Sequence, residues 1–236
     1  MRYSEAHATD HASYLLRIDH MKFTSREDLF THIYKNNAWG GKDSVSGTGS
    51  DTSQTQQIIS QLPTLLRHLE ISTLLDVPCG DFKWMASVDL DGINYIGGDI
   101  VGAIIHGNKK FERKNINFQK LDIINNALPN SDLILCRDCL VHFSINDIFL
   151  ALNNMFKSKS QYLLTTTFTR RKQNHDIRTG QWRPLNLQIP PFNFPQPLTT
   201  IVEGCTEGNG AFVDKTLALW KIDDIERSIK LSYARP

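Results

Sequence analysis

The sequence lacks any apolar run long enough to cross a bilayer, because stretches such as Ser131–Cys136 end after about one strand's worth of residues. The segment Met1–Asp19 lacks the charged and then apolar order of a secretion signal. Cysteine is scarce, with four residues in a chain of 236, which argues against a disulfide-based fold. These absences predict a soluble, cytoplasmic protein in a reducing compartment.

A strong charge of either sign is also missing. The formal net charge is +1, so no broad electrostatic attraction for nucleic acid or an acidic membrane is expected. The chain does have 40% hydrophobic residues beside 22% charged ones, which is enough for one large domain with a mixed surface. The expected partner is therefore a small molecule.

Helical periodicity dominates the first part of the chain. It predicts one helix over Ser25–Tyr34, opened by a pair with capping-box spacing, and another from Thr55 onward that Pro63 is expected to bend or split. Between them, Trp39–Ser53 is rich in glycine, serine, threonine and aspartate, which predicts an irregular loop. We assign residues 1–70 to an N-terminal helical cap that carries this loop as a candidate lid.

Residues 71–236 are predicted to form the core, because short apolar runs alternate there with helical segments. Parallel strands need long return connections, so this alternation predicts an α/β fold with a Rossmann-like, doubly wound sheet of seven mostly parallel strands. The cap and the core together form one structural domain in this prediction. The predicted strands are Thr73–Val77, Asn94–Gly98, Asn117–Leu121, Asp132–Cys136, Gln161–Thr167, Leu198–Glu203 and Thr216–Ile222. The predicted core helices are Ile100–Glu112, Ser144–Lys157 and Asp223–Lys230.

The proline-rich segment 170–197 shows little periodicity, and we predict that it is a lid over a substrate site. Arg178 and Arg183 would clamp a phosphate or carboxylate of the substrate, and Trp182 would stack on a ring. The alternative is a solvated loop anchored by one tryptophan. Trp84 completes the predicted substrate-binding set.

Acidic residues stand at the ends of three successive predicted strands, where ligands bind in open α/β sheets. Asp76 or Asp81 would compensate a cationic ammonium or sulfonium, although a helix N-cap is an equal alternative for Asp81. Gly80 between them lets the backbone approach a ligand closely. Asp99 lies about twenty residues further on, the separation at which an acidic side chain accepts hydrogen bonds from ribose hydroxyls.

The third strand ends in Asp122 and Ile123. The Asp122 carboxylate would accept a hydrogen bond from an adenine amino group while Ile123 packs on the ring, and an ordinary turn residue is the alternative. Three strand-terminal acids in succession favour a single nucleoside site.

These residues resemble the class I S-adenosylmethionine-dependent methyltransferases. Asp76–Gly80 resembles their first glycine motif, and Asp132–Phe143 resembles the fourth-strand motif that faces the transferred methyl group. The likeness runs from about residue 39 to 220, with one departure, since Pro78 and Phe82 replace two glycines of the usual DxGxGxG. In particular the chain is similar to a poorly characterised bacterial branch, through Asp76–Met85 (DVPCGDFKWM), Leu135–His142 (LCRDCLVH) and Trp182–Leu187 (WRPLNL).

The resemblance implies S-adenosylmethionine as cofactor, S-adenosylhomocysteine as product, and a class I methyltransferase fold. The residues predicted to bind the cofactor are Trp39, Asp76, Pro78, Cys79, Gly80, Asp81, Asp99, Ile100, Asp122, Ile123, Cys136 and Arg137.

Methyl transfer mainly requires that the acceptor be aligned with the methyl group and that water be excluded. If the acceptor is a hydroxyl, a base would help, and Asp138 and His142 are the candidates. The alternatives are that Asp138 orients Arg137 and that His142 bonds to the backbone. We expect a hydroxyl or amine of a small polar molecule, such as a sugar or glycan-related metabolite with an anionic group, to be the acceptor.

Two other functions remain open: a nicotinamide-dependent oxidoreductase and a catalytically silent cofactor-binding module. The oxidoreductase would need GxGxxG at a helix start, and only Gly80 is present in this turn. A P-loop is not predicted, because Gly40–Asp43 does not complete GxxxxGK[ST]. No metal site is predicted either, because Cys136 and Cys139 lack a second close pair of ligands.

Overall fold

A computed structural model describes residues 21–233, so the beginning of the predicted cap, residues 1–20, lies outside the described residues. The helices are α1 (Arg26–Lys35), α2 (Thr52–His68), α3 (Gly102–Asn108), α4 (Ile145–Lys157) and α5 (Ile222–Tyr233). The strands are β1 (Thr73–Asp76), β2 (Asn94–Asp99), β3 (Ile116–Lys120), β4 (Leu133–Cys136), β5 (Tyr162–Phe168), β6 (Thr199–Val202) and β7 (Lys215–Lys221).

All seven strands form one sheet in the order β3-β2-β1-β4-β5-β7-β6. Strands β1 to β5 pair in parallel, and β7 runs antiparallel to both β5 and β6. Because β1 lies between β2 and β4, the strand order reverses at β1, and a crevice opens there at the carboxyl end of the sheet. The predicted doubly wound, mostly parallel sheet of seven strands is confirmed.

Hydrophobic cores lie on both faces of the sheet, because neighbouring residues of a strand point to opposite sides. Leu75 and Ile134 belong to one core with α1, α4 and α5, whereas Leu74 and Leu133 belong to the other with α2. None of the helices within residues 21–233 has the length and apolar character needed to cross a membrane.

The two cap helices form where the periodicity predicts them, with one difference. The Ser25 hydroxyl accepts from the Asp28 amide at the start of α1. Helix α2 runs unbroken through Pro63, so of the predicted bend or split the split is wrong. A proline inside a helix costs about 3 kcal/mol. Burial of Ile58 before Pro63 and of Leu66 after it offsets this cost by holding both halves of α2 on the sheet.

The helix after β2 is shorter than predicted. Helix α3 spans Gly102–Asn108, and a 3-10 turn over Lys109–Phe111 replaces its expected last turns. Two glycines in seven residues explain the short helix, since each costs about 1 kcal/mol relative to alanine.

The proline-rich segment 170–197 packs into the core and does not line the crevice. Leu185, Leu187 and Phe192 are fully buried. The Trp220 indole donates to the Pro195 carbonyl at 2.8 Å, and the Phe168 amide donates to the Leu185 carbonyl at 2.7 Å. The structure therefore does not support the lid predicted for this segment.

Candidate functional site

A cavity lies across the carboxyl ends of β3, β2, β1 and β4, the place where open α/β sheets bind ligands. Helix α1 and the loop before α2 close it from above. The lining residues are Arg26, Phe30, Tyr34, Trp39, Val45, Ser46, Ser50, Asp76, Val77, Pro78, Cys79, Gly80, Trp84, Asp99, Ile100, Val101, Ile104, Leu121, Asp122, Ile123, Arg137, Asp138, Cys139, His142 and Phe143.

Two buried carboxylates form the floor of the cavity at the ends of β1 and β2. Asp76 accepts a 2.6 Å hydrogen bond from the Tyr95 hydroxyl. Burial raises the pKa of Asp76 to about 7, although this hydrogen bond acts in the opposite direction. Asp99 accepts from the amides of Val101 at 2.9 Å and Gly80 at 3.2 Å, yet burial still raises its pKa to about 6.

The turn after β1 has two residues in the left-handed conformation, Gly80 and Phe82. Gly80 has φ +54°, and a Cβ there would lie 2.3 Å from the Ser46 hydroxyl, so a larger residue would be strained and would displace the Ser46 side chain. Phe82, in the place of the third glycine, has φ +59° and is buried. Its ring packs against Tyr95 and Phe118 with centroids 5.1 and 5.0 Å away. This aromatic packing offsets the roughly 1–2 kcal/mol cost of the left-handed conformation.

Asp122 closes the β3 end of the cavity. Its carboxylate accepts from the Ile124 amide at 2.9 Å and from the Asn125 side chain at 2.8 Å. The Arg26 guanidinium of α1 lies 3.2 Å from the same carboxylate and 3.9 Å from that of Asp147. Helix α1 is thus held over the cavity by an ion pair with the residue predicted to meet adenine.

At the β4 end, a buried ion network connects three strands. Arg137 donates to Glu203 at 2.7 Å and to the Gly49 carbonyl at 2.7 Å, and it lies 3.4 Å from Asp138. The Lys215 ammonium lies 2.5 Å from Asp138 and 3.4 Å from Glu203. The two cations are therefore paired with the two carboxylates.

This network decides what Asp138 can do. Burial alone would raise the pKa of Asp138, but the charges of Lys215 and Arg137 lower it to about 2. A carboxylate with so low a pKa is a weak proton acceptor at neutral pH. The geometry therefore makes Asp138 a fixed negative charge rather than a general base.

His142 lines the cavity beside Trp39. The two rings stack with centroids 4.5 Å apart, and His142 Nδ1 lies 3.0 Å from the Gln181 carbonyl oxygen. Since a carbonyl only accepts, Nδ1 is the donor in this contact. Trp39 Nε1 and Arg137 Nε, on two other lining residues, are buried donors without a hydrogen-bond partner among the described residues.

Most of the predicted site residues lie together at the cavity. Both candidate bases, Trp84 and ten of the twelve residues assigned to the cofactor line it. Asp81 does not, because its carboxylate accepts from the Val45 and Lys83 amides of neighbouring loops. Cys136 does not, because it is a fully buried core residue at the end of β4.

The predicted anion clamp lies away from the cavity. Arg183 is buried, and its guanidinium donates to the carbonyls of Val141 at 2.9 Å and His175 at 3.0 Å. Burial lowers its pKa to about 10, so it remains charged and anchors the backbone. The Trp182 ring packs 4.9 Å from that of Phe212, and Arg178 is exposed outside the lining.

Apart from Trp39, the sequence interpretation missed the residues that the cap contributes to the cavity. Arg26, Phe30 and Tyr34 reach the cavity from α1, and Ser46 and Ser50 reach it from the following loop. The periodicity of α1 gave the buried stripe that contains Phe30. No local pattern indicated that this stripe covers the ends of the strands.

No protein-family model and no curated protein sequence matches the chain. Solved structures do match. Human N-acetylserotonin methyltransferase, in complex with S-adenosylmethionine, aligns at 13% identity and TM-score 0.61 over 93% of this chain and 67% of its own. The 1,6-didemethyltoxoflavin-N1-methyltransferase of Burkholderia thailandensis, with bound S-adenosylhomocysteine, aligns at 11% identity and TM-score 0.60 over 85% and 92%. The N-methyltransferase NodS of Bradyrhizobium japonicum aligns at 15% and 0.56 over 80% and 97%.

The chain thus has the class I methyltransferase fold. It spans about two thirds of the length of the human enzyme.

Proposed function

We propose that this chain is an S-adenosylmethionine-dependent methyltransferase that acts on a hydroxyl or amine of a small polar molecule. The observation that carries the proposal is that Asp76, Asp99 and Asp122, at the ends of three adjacent strands, line one cavity in a sheet with class I methyltransferase topology. The motif resemblance to a bacterial branch, and a sugar or glycan-related acceptor, remain predictions within this proposal.

The residues of the cavity fit this cofactor. Each oxygen of Asp99 accepts one backbone amide and retains a second lone pair for a ribose hydroxyl. Asp122 and Ile123 offer an acceptor and an apolar surface for adenine. A buried carboxylate without a cation is costly, which is why the pKa of Asp76 is raised, and a cationic ligand would relieve that cost.

S-adenosylmethionine supplies, when bound, a methyl group on a sulfonium that is already activated for displacement. The chain therefore needs only to align the acceptor and exclude water. Phe30, Tyr34 and Trp39 cover the cavity with apolar surface. His142, which lines the cavity, is the candidate base for a hydroxyl acceptor, and Asp138, with its low pKa, would hold a donor group in place.

The test is calorimetric titration of the protein with S-adenosylhomocysteine and, in parallel, with NAD. We expect the first to bind and the second not to bind. Asp99→Asn should weaken S-adenosylhomocysteine about tenfold or more, because a hydrogen bond to a charged group contributes about 1.5–3 kcal/mol. Asp89→Asn, which removes an exposed carboxylate ion-paired with Arg67, should leave the affinity unchanged.

A preference for NAD would instead favour the oxidoreductase alternative. Binding of S-adenosylhomocysteine without formation of that product from S-adenosylmethionine and pooled small metabolites would favour the silent module.

A further inference from the structure

The two ends of the cavity differ in what they can bind. Asp99 and Asp122 end the strands on one side of β1, and Arg137 and Asp138 follow β4 on its other side. If the nucleoside lies over Asp99 and Asp122, as in the proposed function, the acceptor occupies the space over β4. The charges around Asp138 therefore select the acceptor.

The two basic residues described at this end, Arg137 and Lys215, are engaged with carboxylates of the protein. One terminal nitrogen of Arg137 donates to Glu203 and the Gly49 carbonyl at 2.7 Å each, the other lies 3.4 Å from Asp138, and its Nε is buried away from the surface of the cavity. Lys215 is 95% buried at its side chain and lies between Asp138 and Glu203. A phosphate or carboxylate would have to break these pairs, and breaking a buried pair is strongly unfavourable.

Carboxylates outnumber the permanent cations around Asp138. Asp138, Glu203 and Glu207 are three carboxylates against Arg137 and Lys215, and His142 is a further titratable group near Asp138. Glu207 lies behind the lining and accepts a 2.5 Å hydrogen bond from Thr48 of the Gly49 loop. Along the whole cavity, four carboxylates face two guanidinium groups among the described lining residues. One of the four, Asp138, lines the acceptor end with its side chain 21% exposed.

We propose that the methyl acceptor carries a protonated amine or guanidine that docks on the Asp138 carboxylate, an inference that rests on the proposed function. The docked group is not the reacting atom, because a protonated amine has no lone pair. A second, neutral hydroxyl or amine of the same molecule is the nucleophile. The aromatic rings of Trp39 and Trp84 add a surface that favours a cation.

The test uses three phenols of similar size and different charge on protein saturated with S-adenosylhomocysteine: tyramine (cationic), tyrosol (neutral) and 4-hydroxyphenylacetate (anionic). In calorimetry or thermal-shift titrations, tyramine should bind about tenfold more tightly than 4-hydroxyphenylacetate. A tenfold difference corresponds to the interaction energy of one partly exposed charge pair. Raising the salt concentration should reduce this preference in the wild-type protein, since screening weakens it.

Asp138→Asn should abolish the preference for tyramine over 4-hydroxyphenylacetate. Asp122→Asn, at the nucleoside end, should weaken the binding of S-adenosylhomocysteine and leave the preference for tyramine unchanged. The salt series on wild-type protein stands even if Asp138→Asn does not fold. Equal affinities, a preference for 4-hydroxyphenylacetate, or no binding of tyramine overturn the inference. Failure of S-adenosylhomocysteine itself to bind would overturn the proposed function, so the two failures are distinguishable.

Discussion

Individual residues of the turn after β1 determine how closely the chain can approach a ligand. At Gly80 a side chain would meet the Ser46 side chain. Phe82 also has a left-handed backbone conformation, but its side chain packs in a hydrophobic core. A motif with one glycine thus forms a turn that usually contains three.

Gly80→Ala should destabilise the protein and weaken S-adenosylhomocysteine, because the new Cβ would lie 2.3 Å from the Ser46 hydroxyl. Gly92→Ala is the matched control, since Gly92 also has positive φ (+73°) but no atom within 4 Å of the added Cβ. Gly92→Ala should lower the free energy of unfolding, measured by urea denaturation, by only the roughly 1–2 kcal/mol that a left-handed backbone conformation costs an alanine. Equal losses in the two variants would show that the contact with Ser46 is unimportant.

At this scale, part of the site could be predicted from the sequence. An acid at a strand end is a local signal, and Asp76, Asp99 and Asp122 were predicted from it. The ion-pair partners of Asp138 and Arg137 were not predicted. Glu203 and Lys215 follow more than sixty residues later, and they come within ion-pair distance only because β6 and β7 join the sheet.

Among the elements, α1 links the cap to the nucleoside end of the cavity. Its buried residues pack on the core, and its first turn makes ion pairs with Asp122 through Arg26 and with Lys120 through Glu27, the latter at 2.6 Å. The α1 periodicity and the capping serine sufficed to predict the helix. They did not predict where α1 packs, because its position over the cavity depends on Asp122 and Lys120, about 95 residues further along the chain.

Replacing Arg26 with methionine should speed dissociation of S-adenosylhomocysteine several-fold. The Arg26 pair with Asp122 is partly buried, so its loss should cost about 1 kcal/mol of lid closure. Glu27→Gln removes an exposed pair of the same helix and should have a smaller effect. Stopped-flow displacement measures both rates, and an unchanged rate in the Arg26 variant would contradict a role of α1 as a lid.

For the whole molecule, the doubly wound, mostly parallel sheet could be predicted from the alternation of strands and helices, whereas the balance of buried charge could not, because it depends on which residues the fold brings together. Asp76 and Asp99 are held in the fold with raised pKa values, whereas the pKa of Asp138 is lowered by Lys215 and Arg137 after burial has raised it. These opposite shifts make stability depend on pH in two directions.

Without ligand, the free energy of unfolding should fall as pH rises from 5 to 8. The folded pKa values of Asp76 (about 7) and Asp99 (about 6) lie above the ordinary 3.8, so their stabilising contributions are complete below 3.8 and are lost as pH rises through 6 and 7. Asp138, with its pKa of about 2, acts oppositely and contributes stability that is lost only as pH falls toward 2. Urea denaturation should therefore show a maximum near pH 4, where the opposite contributions balance, and a decline from there to about pH 7. A protein more stable at pH 8 than at pH 5 would contradict these shifts.

Asp76→Asn provides the control, because it removes the titrating group and should flatten much of the decline between pH 5 and 8. Asp224→Asn changes an exposed carboxylate on α5 and should leave the decline intact.

The antiparallel pair β6 and β7 has one more consequence. It supplies Glu203 and Lys215 to the ion network around Asp138, although neither residue lines the cavity, and within residues 21–233 it has no contact of this kind with Asp99 or Asp122. Under the proposed function, substitutions in the last part of the chain would therefore change the charge that meets the acceptor and leave the carboxylates at the nucleoside end as they are.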